Sequence, residues 1–416
     1  MKTTVTENPA SLGFSQERLE RISAWMDRYV NAGKLPCALT LICRHGEVVF
    51  ARSVGQRDLD SGGSIEMDSI FRIFSMSKPL TSVAVMMLYE EGNFQLDDPI
   101  SRFIPCLADP RVMVSNVDGQ LRTRPASGPI TIKQLLTHTA GFIYGWNEEF
   151  SLGEMYQQAA VDFWPNSGVL ADVVERVSEL PLLFEPGSRF GYGISTDILG
   201  RFIEVISGQS LAAFMQQRVF EPLGMTDTGF SITPDKLDRL TSLYEATGDN
   251  STLVPVDTPG ATLFAAENVT TFSGGGGLLS TAADYLRFAE MLRCRGEFNG
   301  VRLLGSRTVD FMTQNHLPGD LAQMGDIDFD GWSIAGEGVG FGLGFSVVLD
   351  SVRARTLCSV GEFSWGGIAS TVFWVDPIED ITAMFLTQLT PSSTYTLRRE
   401  LRVLVYQALV DRGLTI

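Results

Sequence analysis

Ser75 and Lys78 are the residues whose types and spacing point most directly to chemistry. A serine hydroxyl is a weak nucleophile that needs a nearby base, and a lysine three residues further along a helix lies on the same face. The N-terminus of that helix would also stabilise negative charge developing near Ser75. Taken alone, this Ser-x-x-Lys spacing also arises by chance, and Ser75 would then only cap a helix. Ser77 is a weaker candidate nucleophile, because no lysine follows it at the same spacing.

The elements that would position these residues follow from the apolar pattern. Residues 15–31 have helical spacing with Ser15 as a candidate N-cap, and residues 37–44 and 48–54 are expected to form a hairpin. The middle of the chain is mainly helical, with predicted helices at 76–91, 131–137, 169–179, 196–207 and 210–219. A helix at 282–293 then leads to predicted strands at 341–349, 354–360, 368–375 and 381–389 and to a closing helix at 395–410.

Both ends of the chain are therefore predicted to be rich in strands, and each carries a terminal helix. The simplest assembly is an α+β fold in which one antiparallel sheet, built from both ends, is flanked by helices. Residues 1–70 and 282–416 would form this sheet domain, and residues 71–281 an inserted, mainly helical domain. A cleft between two such domains is a usual place for a ligand site, so the active site is expected there.

The charge balance limits the classes of partner. The 416 residues include 49 acidic and 32 basic side chains, which give a formal net charge of −17. An acidic chain without a basic stripe is a poor candidate for binding nucleic acid or an anionic membrane surface. The expected partner is therefore a small molecule, and the sequence predicts no oligomeric state.

The cysteines and the apolar runs indicate the compartment. The five cysteines are an odd number and form no Cys-x-x-Cys pair, so a disulfide framework is not expected. Residues 1–14 lack the apolar stretch of a secretory signal, and no run approaches the roughly 18 apolar residues that span a bilayer. These features predict a soluble, cytoplasmic protein.

Other hydrolase mechanisms find little support in the sequence. A Ser-His-Asp triad would need His45, His138 or His316, and the chain has no Gly-x-Ser-x-Gly motif of the α/β-hydrolases. The histidines also lack the spacing of a zinc site, so no metal and no organic cofactor is expected.

Several motifs occur in a defined order around and after Ser75. The segment Phe71-Arg72-Ile73-Phe74-Ser75-Met76-Ser77-Lys78-Pro79 is followed by Glu91-Gly92, Leu96-Asp97-Asp98-Pro99, Thr131-Ile132, the run Leu-Leu-Thr-His-Thr-Ala-Gly at 135–141 and the run Gly-Leu-Leu-Ser-Thr-Ala-Ala-Asp at 277–284. This series resembles the family VIII carboxylesterases, which are serine esterases with the class C β-lactamase (penicillin-binding-protein, or transpeptidase) fold. The resemblance covers most of the chain and implies that fold here.

The resemblance also implies a third catalytic residue. Gly191-Tyr192-Gly193-Ile194 stands where the family has Tyr-x-Asn, so Tyr192 is expected to share the proton chemistry with Lys78. An adjacent ammonium lowers the pKa of a phenol and a phenolate raises that of the ammonium, so the proton is assigned to neither residue. Ile194 replaces an asparagine that holds the substrate amide in the β-lactamases, which argues against dedicated β-lactam binding.

The third motif of the β-lactamases is Lys-Thr-Gly, and Trp365-Gly366-Gly367 stands in its place. Trp365 would line an apolar ester pocket, and the two glycines would let the backbone approach the substrate. By analogy, the backbone N–H groups of Ser75 and Ile368 form the oxyanion hole. Phe142, Tyr144 and Trp146 would either line the pocket or form core beneath a loop. Gly274–Gly277 is interpreted as a turn or as a site of close strand packing.

The function implied by the resemblance is hydrolysis of carboxylic esters, by default with short acyl chains, through an acyl-enzyme on Ser75. Side activity on β-lactams is expected because the acylation machinery is shared. The alternatives are a β-lactamase or D-amino-acid peptidase of the same fold, acyl transfer to an alcohol other than water, and a binding protein without catalysis. The last requires the loss of Ser75, Lys78 or Tyr192, and all three are present.

Overall fold

A computed structural model describes residues 4–117, 120–146, 152–248, 252–325 and 336–410. Its helices are Gln16–Asn31 (α1), Ser77–Glu90 (α2), Ile132–Leu136 (α3), Gly153–Gln158 (α4), Leu170–Ser178 (α5), Ser195–Ser207 (α6), Leu211–Met215 (α7), Glu221–Leu223 (α8), Ala282–Arg293 (α9), Ser306–Met312 (α10) and Leu397–Tyr406 (α11). A π-helical turn, Gln216–Phe220, joins α7 to α8, so the helix predicted at 210–219 is interrupted. The other predicted helices agree with the structure to within a few residues at their ends.

The strands, numbered in chain order, are Cys37–Arg44 (β1), Glu47–Asp58 (β2), Gly62–Ser64 (β3), Phe71–Arg72 (β4), Arg111–Val117 (β5), Gln120–Pro125 (β6), Leu243–Ala246 (β7), Leu253–Asp257 (β8), Leu279–Ser280 (β9), Glu297–Phe298 (β10), Val301–Arg302 (β11), Val339–Phe341 (β12), Ser346–Val348 (β13), Phe363–Gly366 (β14), Val372–Asp376 (β15), Ile381–Leu386 (β16) and Leu389–Thr390 (β17). The hairpins β5–β6 and β7–β8 were not predicted.

The central sheet combines both ends of the chain. It has eight strands in the order β12-β13-β14-β15-β16-β1-β2-β3. The two ends meet where β1 pairs antiparallel with β16, with Leu39 opposite Leu386. The predicted α+β fold with one sheet built from both ends is therefore confirmed.

Strand β1 shows why this sheet must be covered on both faces. All of its residues are buried. Successive side chains of a strand point to opposite faces, and Leu39 and Leu41 accordingly join one apolar cluster while Ala38 and Ile42 join another. Helices α1 and α11 pack on the second face, and α2 and α9 contribute to the cluster on the first face. The site described below lies on the α2 side.

The chain leaves the sheet region at β4 and returns at β9. These short strands pair antiparallel, with Phe71 opposite Ser280 and Arg72 opposite Leu279. They enclose the mainly helical middle of the chain, which supports the proposed division into residues 1–70 with 282–416 and residues 71–281. A single apolar cluster nevertheless extends across that division, from β1 to α6. The domain boundaries therefore stay a proposal.

The C-terminal strand predictions need corrections, and the strand predicted at 381–389 is one of them, because β16 ends at Leu386 and β17 starts separately at Leu389. The strand predicted at 341–349 is two strands, because a turn with Gly344 at φ 94° separates β12 from β13. Residues 354–360 form turns and no strand, with Arg355 at φ 55° in the left-handed region and Val360 exposed. The strand predicted at 368–375 begins only at Val372, and β14, which was missed, carries Trp365 before it.

Candidate active site

Ser75 lies in a 3-10 turn, Phe74–Met76, immediately before α2. It therefore immediately precedes the helix, which agrees with the helix predicted to begin at residue 76. Phe74 has a φ of 42°, a left-handed conformation that costs a non-glycine residue about 1–3 kcal/mol. The turn is held from the side of α9 by the Tyr285 hydroxyl, which donates to the Met76 carbonyl at 2.9 Å. The Ser75 side chain remains half-buried, so it is reachable from solvent.

Ser77, the second candidate nucleophile, has a structural contact. Its side chain is fully buried, and its Oγ accepts a hydrogen bond from the Leu278 N–H at 3.1 Å. That bond ties the start of α2 to the segment that leads into β9. The structure therefore favours Ser75 over Ser77 as the hydroxyl available to a substrate.

Lys78 reaches Ser75 from the first turn of α2. Its side chain is 1% exposed, and Nζ donates to Ser75 Oγ at 3.2 Å, to the Tyr144 hydroxyl at 2.8 Å and to the Gly275 carbonyl at 2.8 Å. Burial lowers the pKa of Lys78 to about 7, although the nearby Asp197 acts in the opposite direction. Near neutral pH the amine is therefore available both with and without its third proton.

Tyr192 lies against the same amine, and Lys78 Nζ is 4.6 Å from the centroid of its ring. The ring is 8% exposed and packs against Trp365, with 5.4 Å between ring centroids. Burial raises the pKa of Tyr192 above its usual range, although hydrogen bonds with Ser75 and Trp365 act to lower it. The phenol is therefore held in its neutral form, and the ammonium does not offset the burial.

Asp197 in the first turn of α6 was assigned no role from the sequence. Its carboxylate is buried and accepts from Ser273 Oγ at 2.5 Å and from the Gly275 N–H at 2.9 Å. The Gly275 carbonyl in turn accepts from Lys78, so Asp197 fixes the residue whose following peptide holds the amine. Burial raises the pKa of Asp197 and the Lys78 charge lowers it. An acid in the first turn of a mainly apolar helix was the available sequence signal.

The tetraglycine Gly274–Gly277 provides that peptide. A Cβ on Gly274 would lie 2.8 Å from the Thr196 carbonyl, and one on Gly275 would collide with the Asp197 carboxylate. Gly274 also accepts a hydrogen bond from Thr81 of α2 at 2.8 Å. The segment is therefore glycine-rich because it passes between α2 and α6, and it forms a turn, which was the first of the two predicted alternatives.

Tyr144 was predicted to line the pocket or to form core, and the structure also places it in direct contact with a catalytic candidate. Its hydroxyl meets Lys78 Nζ, and its ring stacks on Trp146 with 3.9 Å between centroids and 14° between planes. Trp146 is 37% exposed and Trp164, with its centroid 6.4 Å from that of Trp146, is 49% exposed. The rings of Tyr144, Trp146 and Trp164 thus form an apolar surface that extends from the Lys78 amine towards solvent. Phe142 is 1% exposed and belongs to the core, which is the second of the two positions predicted for it.

The predicted oxyanion-hole residue Ile368 lies in the turn between β14 and β15, where the Gly367 N–H donates to the Thr371 carbonyl at 3.0 Å. A Cβ on Gly367 would lie 2.5 Å from the Ile73 carbonyl, so this turn packs directly beside the Ser75 turn. Among the described residues, neither the Ser75 nor the Ile368 N–H donates to a protein acceptor. Both groups are thus available to a ligand.

The two glycines of the third motif have a packing role that the sequence analysis did not predict. A Cβ on Gly366 would lie 2.6 Å from the Thr371 carbonyl and 2.9 Å from the Arg398 guanidinium. Together with the contact of Gly367 with Ile73, this explains both glycines by protein neighbours, whereas the prediction invoked a close approach of substrate. Trp365, which precedes them, is 4% exposed and borders Tyr192.

Ile194 and His138 are buried behind the site. Ile194 is 0% exposed and precedes α6, so its side chain contributes to the core and not to an open pocket surface. His138 is 1% exposed, lies with its ring centroid 4.9 Å from that of Tyr192, and approaches the Thr196 hydroxyl at 3.5 Å. Burial and the Lys78 charge hold the pKa of His138 well below its usual range. His138 is therefore neutral, and its contacts are with buried side chains behind the site.

The other two histidines lie apart from Ser75. His45 Nδ1 is 2.7 Å from an Asp380 carboxylate oxygen, and His316 Nε2 is 2.8 Å from the Phe311 carbonyl. A cavity of about 440 Å³ near His45, between the end of α9 and the β10–β11 hairpin, contains none of the predicted site residues; it is lined by Gly46, Glu290, Arg293, Cys294, Glu297, Phe298, Asn299 and Arg302.

Two absences hold for the described parts of the chain. There, no group of three or more His, Cys, Asp or Glu side chains is arranged to hold a metal ion. Likewise, no single helix within those ranges is both long and apolar enough to cross a membrane. In the same ranges, one pair of helices, Ser195–Ser207 with Leu211–Leu223, is long and apolar enough when taken together, but the pair is bent by 80°.

The chain belongs to the β-lactamase family, whose profile matches residues 22–407. It is 34% identical to an uncharacterized protein of Mycobacterium tuberculosis over 87% of this chain and 88% of the relative. It is 30% identical to the esterase EstB of Burkholderia gladioli over 88% of this chain and 89% of that one. A lovastatin esterase of Penicillium rubens is 29% identical over 83% and 87% of the two chains.

Solved structures show the same relationship. EstCE1, described as a hydrolase with promiscuous acyltransferase activity, superposes with a TM-score of 0.77 at 27% identity, over 95% of this chain and 99% of its own. Simvastatin synthase (LovD) from Aspergillus terreus superposes with a TM-score of 0.81 at 23% identity, over 97% and 100% of the two chains, which supports the fold alone. The β-lactamase/transpeptidase-like fold implied by the motifs is therefore confirmed.

Proposed function

We propose that this protein is a family VIII carboxylesterase that hydrolyses carboxylic esters through an acyl-enzyme on Ser75. The observation that carries the proposal is the buried Lys78 amine, which is 3.2 Å from Ser75 Oγ and has a pKa of about 7. A general base works best when its pKa lies near the operating pH. The esterases among the relatives support the reaction type.

In the proposed acylation step, neutral Lys78 removes the Ser75 proton as Oγ attacks the ester carbonyl carbon. The N–H groups of Ser75 and Ile368 would stabilise the oxyanion, a contribution of about 10²–10³ in rate for each such donor. As the tetrahedral intermediate collapses, the Tyr192 hydroxyl protonates the departing alkoxide and recovers a proton from the Lys78 ammonium. Burial favours this order, because it holds Tyr192 neutral and lowers the pKa of Lys78.

Deacylation reverses the roles. Water attacks the acyl carbonyl while Lys78 takes its proton, and the Ser75 alkoxide leaves and regains a proton from the same ammonium. The acid is released and the enzyme returns to its starting state. Ser75, Lys78 and Tyr192 carry all the proton transfers with the substrate and water, so the cycle as proposed uses no cofactor.

The substrate class follows from the walls of the site. Trp365 and Tyr144 would face the ester, and the exposed rings of Trp146 and Trp164 continue the apolar surface outwards. Such a surface favours apolar esters over carboxylate-bearing β-lactams, which would be at most side substrates.

We also propose a cytoplasmic location, since all five cysteines are free thiols.

Acyl transfer to an alcohol other than water is a second candidate function. The structural neighbour EstCE1 is described as having promiscuous acyltransferase activity alongside hydrolysis. An exposed apolar surface next to the nucleophile would hold an acceptor alcohol as readily as it holds an ester. Adding a primary alcohol during turnover and measuring the ratio of new ester to free acid separates transfer from hydrolysis.

The reaction class is tested by comparing kcat/KM for p-nitrophenyl butyrate with that for nitrocefin. We expect the ester to be preferred by at least about 10²-fold, because Trp365 stands in the third motif where the β-lactamases have a lysine cation. A preference for nitrocefin would identify a β-lactamase instead. Turnover of neither compound, together with no labelling by a fluorophosphonate, would support the non-catalytic alternative.

Tyr144→Phe tests the contact that the structure adds to the predicted catalytic residues. The variant loses the hydroxyl that fixes Lys78 Nζ, so we expect kcat for p-nitrophenyl butyrate to fall about tenfold. KM should change by less than about threefold, because the stacked ring remains. Tyr156→Phe is the matched control, since it removes a buried hydroxyl that donates to the Pro181 carbonyl away from the site. Equal kinetics in the two variants would contradict the role of Tyr144.

A further inference from the structure

Arg398 of α11 contacts the turn that carries the proposed oxyanion hole. Its side chain is 4% exposed, and its Nη2 donates both to the Gly367 carbonyl at 2.7 Å and to the Thr371 carbonyl at 3.1 Å. These two carbonyls lie at the two ends of the turn between β14 and β15. A single guanidinium nitrogen therefore bridges the turn from behind.

The turn is short and is fixed at several other points. The Gly367 N–H donates to the Thr371 carbonyl, and the Ser370 N–H donates to the Gly367 carbonyl at 3.1 Å. Ser370 has a φ of 65°, and its Oγ donates to the Leu389 carbonyl at 2.7 Å. Ile368 is the half-buried residue inside this turn. The direction of its N–H is set by the peptide planes that Arg398 and Ser370 hold.

The position of this turn relative to Ser75 leaves little freedom. Gly367 packs against the Ile73 carbonyl, two residues before the nucleophile, so closely that a Cβ would lie 2.5 Å away. A misplacement of about 1 Å in a catalytic group can reduce a rate about 10²-fold. A side chain that fixes the turn therefore has a large effect on the stabilisation of any oxyanion bound between Ser75 and Ile368.

The charge of Arg398 adds to its hydrogen bonds. Burial, and to a smaller extent the adjacent Arg402, lower the pKa of Arg398 to about 10, whereas Tyr192 acts to raise it. The group is therefore a cation at neutral pH. A buried cation behind the Gly367 carbonyl favours negative charge on the far side of the same turn, which is where the tetrahedral intermediate would form.

We propose that Arg398 is a positioning residue that orients the Ile368 N–H towards the oxyanion by bridging the Gly367 and Thr371 carbonyls. This inference rests on the proposed serine-esterase function and assigns to α11 a role in the reaction beyond covering the sheet. Arg398 touches no substrate atom in this arrangement and acts through the turn. Gly366 is required for the same reason, because a Cβ there would meet the guanidinium.

The test is Arg398→Ala, with Arg399→Ala as the control on the next residue of the same helix. We expect Arg398→Ala to lower kcat for p-nitrophenyl butyrate about 10- to 100-fold with KM changed by less than about threefold. The rate of Ser75 labelling by a fluorophosphonate should fall in parallel, since that adduct also places an oxygen in the oxyanion hole. Methylguanidinium added to Arg398→Ala should restore part of kcat, and Arg399→Ala should match the wild type.

Several outcomes would overturn the proposal. A folded Arg398→Ala protein with wild-type kcat and labelling rate contradicts it, and so does a loss that appears only as a higher KM and is not restored by methylguanidinium. If Arg398→Ala does not fold, Ser370→Ala loosens the same turn without removing a buried charge. That variant should then lower kcat about threefold to tenfold, and an unchanged kcat would reject the proposal.

Failure of the underlying function gives a different result. If the wild-type protein neither hydrolyses the ester nor labels at Ser75, the esterase proposal is wrong and the Arg398 inference is wrong with it. If the wild type labels at Ser75 and the Arg398 and Ser370 variants label at the same rate, only the inference on Arg398 is wrong.

Discussion

Ser75→Ala is expected to lower kcat for p-nitrophenyl butyrate by at least about 10³-fold and to abolish covalent labelling by a fluorophosphonate. The variant keeps Lys78, Tyr192 and the oxyanion donors, but it has no alcohol from which Lys78 can take a proton. Ser75 is half-buried in a short turn, so the loss of one oxygen should leave the fold intact. Intact-protein mass after labelling, followed by peptide mapping, measures the adduct directly.

Ser77→Ala is the matched control two residues away. It loses the hydrogen bond from the Leu278 N–H, which should reduce the free energy of unfolding by about 1 kcal/mol. Labelling should still occur on Ser75. An adduct on another residue in the wild type, or turnover retained in Ser75→Ala, would show that a different group is the nucleophile.

Lys78→Met should have an effect of similar size, with kcat/KM at neutral pH lower by at least about 10³-fold. Methionine fills the buried channel of the lysine side chain but supplies no base. The pH profile of the wild type provides the second readout. Since the neutral amine is the active form and the pKa of Lys78 is about 7, kcat/KM should rise as the pH rises through about 7. In Lys78→Met this limb should be lost.

Asp197→Asn tests whether Lys78 causes that limb. The Asp197 carboxylate favours the ammonium form and so raises the pKa of Lys78. An asparagine keeps an oxygen that can accept from the Gly275 N–H but removes the charge, so the limb should move to lower pH. A profile that does not move in Asp197→Asn, or that survives in Lys78→Met, would assign the titration to another group.

The fold was predictable where the apolar pattern is regular. The helical spacing of residues 15–31 and the continuous apolar run of residues 37–44 correspond to α1 and β1 with little error. The prediction failed at 354–360, where several residue types favour a strand. Arg355 there adopts a left-handed conformation, which is set by the path of the chain and not by the local residue types. Short strands such as β14 contain too few residues for a period to be read.

The site was predictable only in part, for a related reason. Ser75 and Lys78 are close in sequence and share one helix end, so spacing alone relates them. The contacts of Lys78 with Tyr144 and Gly275 join residues from three separate segments, and no local pattern reports them. The same holds for Arg398, whose partners lie in another element. The glycines of the third motif were attributed to the substrate because their protein neighbours are remote in sequence.

The pairing of β1 with β16 also determines when the molecule can form. The Thr387 hydroxyl donates to the Cys37 carbonyl across 350 positions of sequence. During synthesis, β1 therefore leaves the ribosome long before its partner exists, and the edge that pairs with β16 stays unpaired until then. Contacts of such sequence separation slow folding and leave intermediates prone to aggregation. Truncated nascent chains that stop before β16 are accordingly the species that would depend most on chaperones.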